Sequence, residues 1–283
     1  MIMYKKFFSI AKTVFSVESE SELDFGVAEK YFLCHCDEKP ELNFTIKNEK
    51  VAVNGNLLHC GNIFSVYEKD NIFYRRFTNK FGDFVLTRDK NNPFNAVLYT
   101  NPNDLAAQSA NLIQGYFGLE VPLICNQTYI LHSSLIKIND YTVLFSAPSG
   151  TGKSTQADLW QRHKNAEILN GDRSCIRISG ETAHAYGSFF AGSSDIYKND
   201  GAPIKAIIFL EQSEENNLQK LSPPEAFKKL YSQSLNNTWD ADFVHCLVNV
   251  VEKTVSLVPV YKLSCRPDCE SVDLVYNKLF KSE

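Results

Sequence analysis

Two different patterns of apolar and polar positions run along the chain. Over roughly the first hundred residues, short apolar runs alternate with turn residues. Val51-Ala52-Val53 leads into Asn54-Gly55, a strong hairpin signal. Further runs follow at 63–67, 72–77, 84–87 and 96–99, separated by Lys69-Asp70-Asn71 and Lys90-Asn91-Asn92-Pro93. Strands at this spacing predict an antiparallel meander. Asn101-Pro102-Asn103-Asp104 breaks the pattern. Asp104 is placed to cap a helix running to about Phe117, and Gly118 to end it. The domain boundary is therefore expected there, giving 1–118 and 119–283.

Beyond the boundary, strand-like and helix-like segments alternate. The run TVLFS at 142–146 is followed by a loop and by a helical segment over 153–163. A strand is expected over 166–170. The segment IKAIIFL at 204–210 is nearly all apolar, as in a strand buried on both faces. Ser222-Pro223-Pro224-Glu225 is a capping box with Pro at the first helical position, opening a helix to about Ser234. A helix is read over 238–251 and a strand over 258–263, and the polar stretch 212–219 reads as a solvated loop. Asp268 is placed to cap a last helix, with Val272, Val275, Tyr276 and Leu279 on one face. The expectation is an α/β domain preceded by a smaller, mostly antiparallel β domain.

Composition narrows the function classes. Lys and Arg number 29 against 33 Asp and Glu, a net charge of −4, so no basic excess exists to neutralise a nucleic-acid backbone. Hydrophobic content of 44% and charged content of 22% are those of a folded globule. No apolar run approaches the roughly 18 residues of a membrane span. The N-terminus opens like a signal peptide with Lys5 and Lys6. Lys12 interrupts the apolar stretch and no clean cleavage site follows, so a cytoplasmic protein is expected. The eight Cys are irregularly spaced. Cys34-His35-Cys36 with His59-Cys60, and Cys265-x3-Cys269, lack the paired spacing of a zinc site, and inert thiols are the favoured reading.

The chemistry is concentrated in Ala147-Pro148-Ser149-Gly150-Thr151-Gly152-Lys153-Ser154. It fits the nucleotide-binding loop with Ala at the first Gly position. Gly150 and Gly152 let successive amides from Ser149 through Thr151 point inward around an anion. The following helix offers its free N–H groups. Lys153 reaches the β- and γ-phosphates, Ser154 ligates Mg²⁺, and Thr155 is placed for the α-phosphate. An apolar run before the loop and a breaker-free helix after it supply the expected context. Asp172, at the end of the 166–170 strand, is the candidate metal ligand or base; a turn residue is the alternative. Arg173 and Arg177 are candidates to clamp phosphate or substrate, with a solvated or ion-paired face as the alternative for Arg177. Glu211 is a candidate metal ligand through water, or a loop-start acid. His132 stands ten residues before the loop strand, either near the phosphates or structural. The segment 187–194, with Ser188 and Gly192, is either an acceptor-binding loop or a plain connection.

These residues carry a resemblance. LHSSLIKINDYTVLFSAPSGTGKSTQADLW, EILNGDRSCIRI, YGSFFAG and APIKAIIFLEQ together resemble the HPr kinase/phosphorylase-like P-loop proteins. That group shares its fold with ATP-dependent phosphoenolpyruvate carboxykinase. The resemblance covers about 125–265. It implies an ATP-dependent kinase acting on a serine hydroxyl of a protein or peptide, and some relatives tailor ribosomally made peptides. It implies that Lys153 and Ser154 contact phosphate and Mg²⁺. Asp172 stands where the family has the first acid of an Asp-Asp pair, which acts as general base and, in reverse, as acid. Arg173 stands where the second acid would be, and the second family signature is absent downstream. The chain thus resembles a divergent member, a departure that bears on the HPr substrate and the phosphorylase activity.

The expected activity is ATP- and Mg²⁺-dependent transfer of the γ-phosphoryl group to a hydroxyl of a protein, peptide or small molecule. Two alternatives stand beside it: a carboxykinase-like enzyme acting on a small carboxylic acid, and a non-catalytic nucleotide-binding module that regulates a partner. Nothing in the sequence sets an oligomeric state.

Overall fold

Turn residues set the first sheet. The elements up to Cys125 are β1 (Tyr4–Ile10), β2 (Thr13–Ser19), α1 (Val27–Phe32), β3 (Leu42–Lys47), β4 (Asn56–Cys60), β5 (Phe64–Lys69), β6 (Ile72–Asn79), β7 (Gly82–Asp89), β8 (Asn92–Tyr99), α2 (Pro102–Gln108), α3 (Leu112–Gly115) and α4 (Glu120–Cys125). Ala11 and Lys12, at φ 49° and 64°, close the β1–β2 hairpin, and Asp70 and Asn71, at 54° and 62°, close β5–β6. Positive φ at both central residues is the two-residue turn that matches strand twist. The strand order is β1-β2-β3-β8-β7-β6-β5-β4, antiparallel except for the β2–β3 and β3–β8 pairs. Residues 3–35, 39–79 and 82–281 are described by this computed structural model. By contacts the chain divides into Met1–Cys125 and Asn126–Glu283, so the break falls after Cys125 rather than after Gly118.

Three local expectations are corrected here. Asn54-Gly55 closes no hairpin: 51–53 lie outside the strands and β4 starts after Gly55. Gly55 serves close approach instead, since a Cβ there would collide with the Glu68 carbonyl. The helix expected over 104–117 is broken into α2 and α3, and its cap is Asn101, whose side chain accepts from the Asp104 amide. The Asp104 carboxylate is engaged elsewhere, accepting from the Asp83 amide at 2.9 Å. Cys36 lies outside the described residues. Among the described residues the cysteines are free thiols, and no group of three or more His, Cys, Asp or Glu is placed to hold a metal.

The second unit contains β9 (Thr128–Ile138), β10 (Tyr141–Ser146), α5 (Lys153–Lys164), β11 (Glu167–Asn170), β12 (Arg173–Ser179), β13 (Thr182–Tyr186), β14 (Gly201–Gln212), β15 (Asn217–Lys220), α6 (Pro223–Gln233), α7 (Ala241–Leu257), β16 (Val260–Cys265) and α8 (Cys269–Phe280). It is mixed α/β. β10–β14 and β14–β16 are parallel, whereas β9 runs antiparallel to β10, β11 and β12. β9 and β14 are long and change partners along their length. β14 meets β13 through Ala202 and Pro203, then β10 from Ile204 onward. The predicted loop at 212–219 is corrected in its last part: Leu218, opposite Leu263, lies within β15. The helix expected at 238 starts at Ala241, because Asp240 accepts from the amides of Asp242 and Phe243 as its cap.

Helix α5 fixes the position of the glycine loop that precedes it. Lys153, Gln156, Ala157 and Trp160 are its buried residues, at i, i+3, i+4 and i+7. Trp160 is fully buried among Phe145, Ile208, Leu263, Val272 and Val275. Burying apolar side chains of this size contributes about 2–3 kcal/mol each. Asn165 in the left-handed conformation ends the helix, and Arg162, His163 and Lys164 in the last turn complement its dipole. Among the described residues, no helix is long and apolar enough to cross a membrane.

Candidate functional site

The loop between β10 and α5 has the backbone of an anion cradle. Gly150 and Gly152 take φ of 81° and 114°, and a Cβ built on either meets nothing within 4 Å. Side chains there would fill the space that the loop leaves open to a ligand. The Thr151 hydroxyl donates to the Pro148 carbonyl at 2.9 Å, and the Lys153 ammonium donates to the Ala147 and Pro148 carbonyls at 3.0 and 3.3 Å. The loop is thus held curled by its own side chains. Burial pulls the Lys153 pKa below the usual lysine range, and the charge of Asp172 partly offsets this.

Asp172 is delivered by a local irregularity. β11 and β12 lie one after the other antiparallel to β9, with a register shift between Ile168 and Asn170. Such a shift re-aims side chains. The fully buried Asn170 side chain makes the turn: its Oδ1 accepts from the amides of Asp172 and Arg173 at 2.9 and 2.8 Å, and its Nδ2 donates to the Ser188 carbonyl at 3.0 Å. The Ser133 amide donates to the Asp172 carbonyl at 2.9 Å, and Ser133 pairs with Ser146, the last residue before the loop. Three neighbouring strands therefore place Asp172 and the loop at the same level.

His132 and Arg173 flank the carboxylate. His132 Nε2 lies 3.4 Å from Asp172 Oδ1, and Arg173 Nε lies 3.5 Å from Oδ2. His132 Nδ1 faces Gln233 Oε1 at 3.3 Å. Burial first, then the Lys153 charge, push the His132 pKa below its ordinary value against the opposing pull of Asp172.

A cleft of about 300 Å³ joins these parts. It is lined by His132, Ser149, Gly150, Gly152, Lys153, Ser154, Thr155, Gly171, Asp172, Ala191 and Ser194. A second pocket of about 430 Å³ shares Gly150, Gly152 and Thr155 and continues with Thr151, Gln156, Glu211 and Cys265. Glu211 is thus beside the loop but not in the cleft with Ser154 and Asp172. Its carboxylate accepts from Ser264 Oγ at 2.7 Å and Lys262 Nζ at 3.1 Å, which together hold its pKa down. Arg177 does not line the cleft: it sits four residues along β12, opposite Thr128 and His184. Ser188 is fully buried, and its hydroxyl donates to the Arg173 carbonyl and accepts from the Phe190 amide. Gly192, at φ 57°, packs so tightly on Asp172 that a Cβ would lie 3.0 Å from its Cβ and Cγ. The segment from Ser188 to Gly192 is therefore packed under the carboxylate.

No family model matches the chain, and no curated protein matches it. Among solved structures it is similar to the Hpr(Ser) kinase/phosphatase from Coxiella burnetii, at 12% identity over 54% of this chain and 97% of that one, with a TM-score of 0.33. Nothing about activity follows from a likeness this slight.

The sequence reading does not pick out Asn170, Ser133 or Gln233 as site residues. Asn170 carried a usable signal, since Asn followed by Gly and Asp is turn chemistry at a strand end. Gln233 carried none, because its approach to His132 depends on the folding back of α6 onto β9, fixed by the Leu235 amide on the Ile130 carbonyl at 2.9 Å.

The oxygen donors of the cleft suit a hard cation. Ser154 offers an exposed hydroxyl and Asp172 a carboxylate on the same surface. Mg²⁺ is typically bound by one or two such protein groups, with water and substrate phosphates completing the shell.

Proposed function

We propose that the chain is an ATP- and Mg²⁺-dependent kinase that transfers the γ-phosphoryl group to a hydroxyl, a serine of a protein or peptide or an equivalent small-molecule alcohol. The observation that carries this reading is the single cleft in which Asp172 lies with Lys153 and the open glycines of the loop. The amides from Ser149 to Thr155 cradle the phosphates, and the 430 Å³ pocket beyond Thr155 has room for the nucleoside. Mg²⁺, held by Ser154 and Asp172, would neutralise charge between the β- and γ-phosphates. The Asp172 carboxylate accepts the proton of the acceptor hydroxyl. That oxygen then bonds to the γ-phosphorus while the bond to the bridging oxygen breaks and ADP keeps the electron pair. Lys153 balances the charge that develops on the transferred oxygens. His132 and Arg173 hold the carboxylate in place from either side.

ATP turnover and phosphopeptide formation with serine peptides test the reading. Lys153→Ala should abolish nucleotide binding measured by calorimetry. Asp172→Asn should retain binding and lose about 10²-fold or more in transfer rate. Full transfer by Asp172→Asn would remove the assigned role.

A further inference from the structure

A third cavity, of about 170 Å³, opens on the other side of His132 and is lined by Ile130, His132, Arg173 and the segment 232–235. The segment is not a loose loop. Ser234 bridges to Leu131, the Leu235 amide donates to the Ile130 carbonyl, and the Ser234 hydroxyl donates to the Leu230 carbonyl at 2.8 Å. The walls are polar apart from Ile130 and Leu235. Arg173 is the one Lys, Arg, Asp or Glu among them. Its Nε lies 3.5 Å from Asp172 Oδ2, and its side chain is 40% exposed. Among the described residues its one ion-pair partner is Asp172, at a distance too long for a close bidentate pair, and a half-exposed guanidinium is a bidentate carboxylate receptor.

We propose that the acceptor carries a carboxylate within one residue of its reacting hydroxyl, and that Arg173 binds this carboxylate in the pocket closed by the C-terminal end of α6. Position and size both favour it. Arg173 follows Asp172 directly, so a group held by its tip leaves a neighbouring hydroxyl at the carboxylate that deprotonates it. The cavity, at about 170 Å³, has room for a small acidic group. A cation beside the base also lowers the cost of bringing an anion up to Asp172. The carboxylate has two sources, an acidic side chain next to the hydroxyl residue or a free chain terminus. The inference rests on the kinase reading for the fate of the hydroxyl, and on the pocket alone for the carboxylate.

The test is calorimetric binding of three peptides to the full chain: acetyl-Gly-Ala-Ser-Asp-amide, acetyl-Gly-Ala-Ser with a free C-terminus, and acetyl-Gly-Ala-Ser-Lys-amide. At least one carboxylate peptide should bind about tenfold or more tighter than the lysine peptide, and which one does identifies the source. The preference should vanish in Arg173→Gln, reverse in Arg173→Glu, and persist in Arg177→Gln, which removes the same charge from the same strand outside the pocket. It should also persist in Lys153→Ala. Equal binding of all three peptides, binding of none, or a preference that survives Arg173→Gln overturns the inference. Phosphoryl transfer to the same peptides is read in parallel. A carboxylate preference without transfer refutes the kinase reading and leaves the binding site standing.

Discussion

Replacing Gly192 by Ala separates the placement of Asp172 from the stability of the fold. Gly192 has φ 57°, where an Ala costs about 1 kcal/mol or somewhat more. The new Cβ would stand 3.0 Å from Cβ and Cγ of Asp172, against roughly 3.5–4.0 Å for an ordinary carbon–carbon contact. One of the two must retreat by about half an ångström. Gly192 is poorly placed to do so, because the Ser194 amide donates to the Ala191 carbonyl and the Arg173 amide to the Phe190 carbonyl on either side of it. Asp172 therefore shifts, and its contacts of 3.4 and 3.5 Å to His132 and Arg173 lengthen or break. A displacement on the order of 1 Å in a reacting geometry costs up to about 10²-fold in rate, so a tenfold or greater loss in transfer is expected. Gly180 is the matched control. Its φ is 58° and a Cβ there meets nothing within 4 Å. Urea denaturation should give similar stability losses for Gly180→Ala and Gly192→Ala, and ATP turnover with serine peptides should fall only in Gly192→Ala. Equal activity in the two variants would refute the steric argument, and with it the claim that the segment below Asp172 sets its position.

Two further outcomes follow from neighbouring contacts. Asn170→Ala takes the side-chain partner from the Asp172 amide and the buried Ser188 carbonyl and leaves the Arg173 amide with the Phe190 carbonyl alone, so we expect a loss of about 2–3 kcal/mol in urea denaturation together with reduced transfer. Asp268 caps α8, accepting from the Ser271 amide at 3.0 Å, and Asp268→Ala should cost about 1 kcal/mol. The Arg266 hydrogen bond, then the Ser271 amide, hold the Asp268 pKa below its ordinary value. A depressed carboxylate stabilises the fold fully above its unfolded pKa of about 3.9 and loses that contribution as pH falls through the folded value. The stability gap between wild type and Asp268→Ala should therefore be constant from pH 8 to 5 and shrink below about pH 4.

The parts of the site that are local in sequence were legible, and the parts that depend on pairing were not. The phosphate loop could be read because strand, glycines and helix are contiguous, and Asp172 because it follows a short strand. The capping residues of α6 and α8 were equally local, since Ser222-x-x-Glu225 and Asp268 act within one turn. The Asn54-Gly55 hairpin failed because a dipeptide signal does not register the Glu68 backbone packed against it. β9 was missed for a physical reason: it is buried along most of its length, so it shows no alternation, while Ser133 and Ser134 break the apolar run that marks such strands.

That missed strand is what assembles the site. β9 carries β10 on one edge, through Ser133 and Ser146, and β12 on the other, through His132 and Arg173. With strands about 4.8 Å apart, the loop and Asp172 approach across two strand spacings, roughly 10 Å, which a triphosphate and its metal can bridge. His132 and Ser133 are adjacent, so one supplies a side chain to the cleft while the other, fully buried, supplies backbone to the ladder. A slip of one residue on either edge would move the loop or the carboxylate by about 3.3 Å and turn the side chains to the opposite face. The buried hydroxyls resist that slip, with Ser133 donating to Ser174 at 3.1 Å and Ser146 to the His132 carbonyl at 2.8 Å. Both of these cross-strand bonds form only in the present register. Ser133, one of the polar residues that hide β9 from the apolar pattern, is therefore one that keeps Asp172 and the glycine loop at the same level of the sheet.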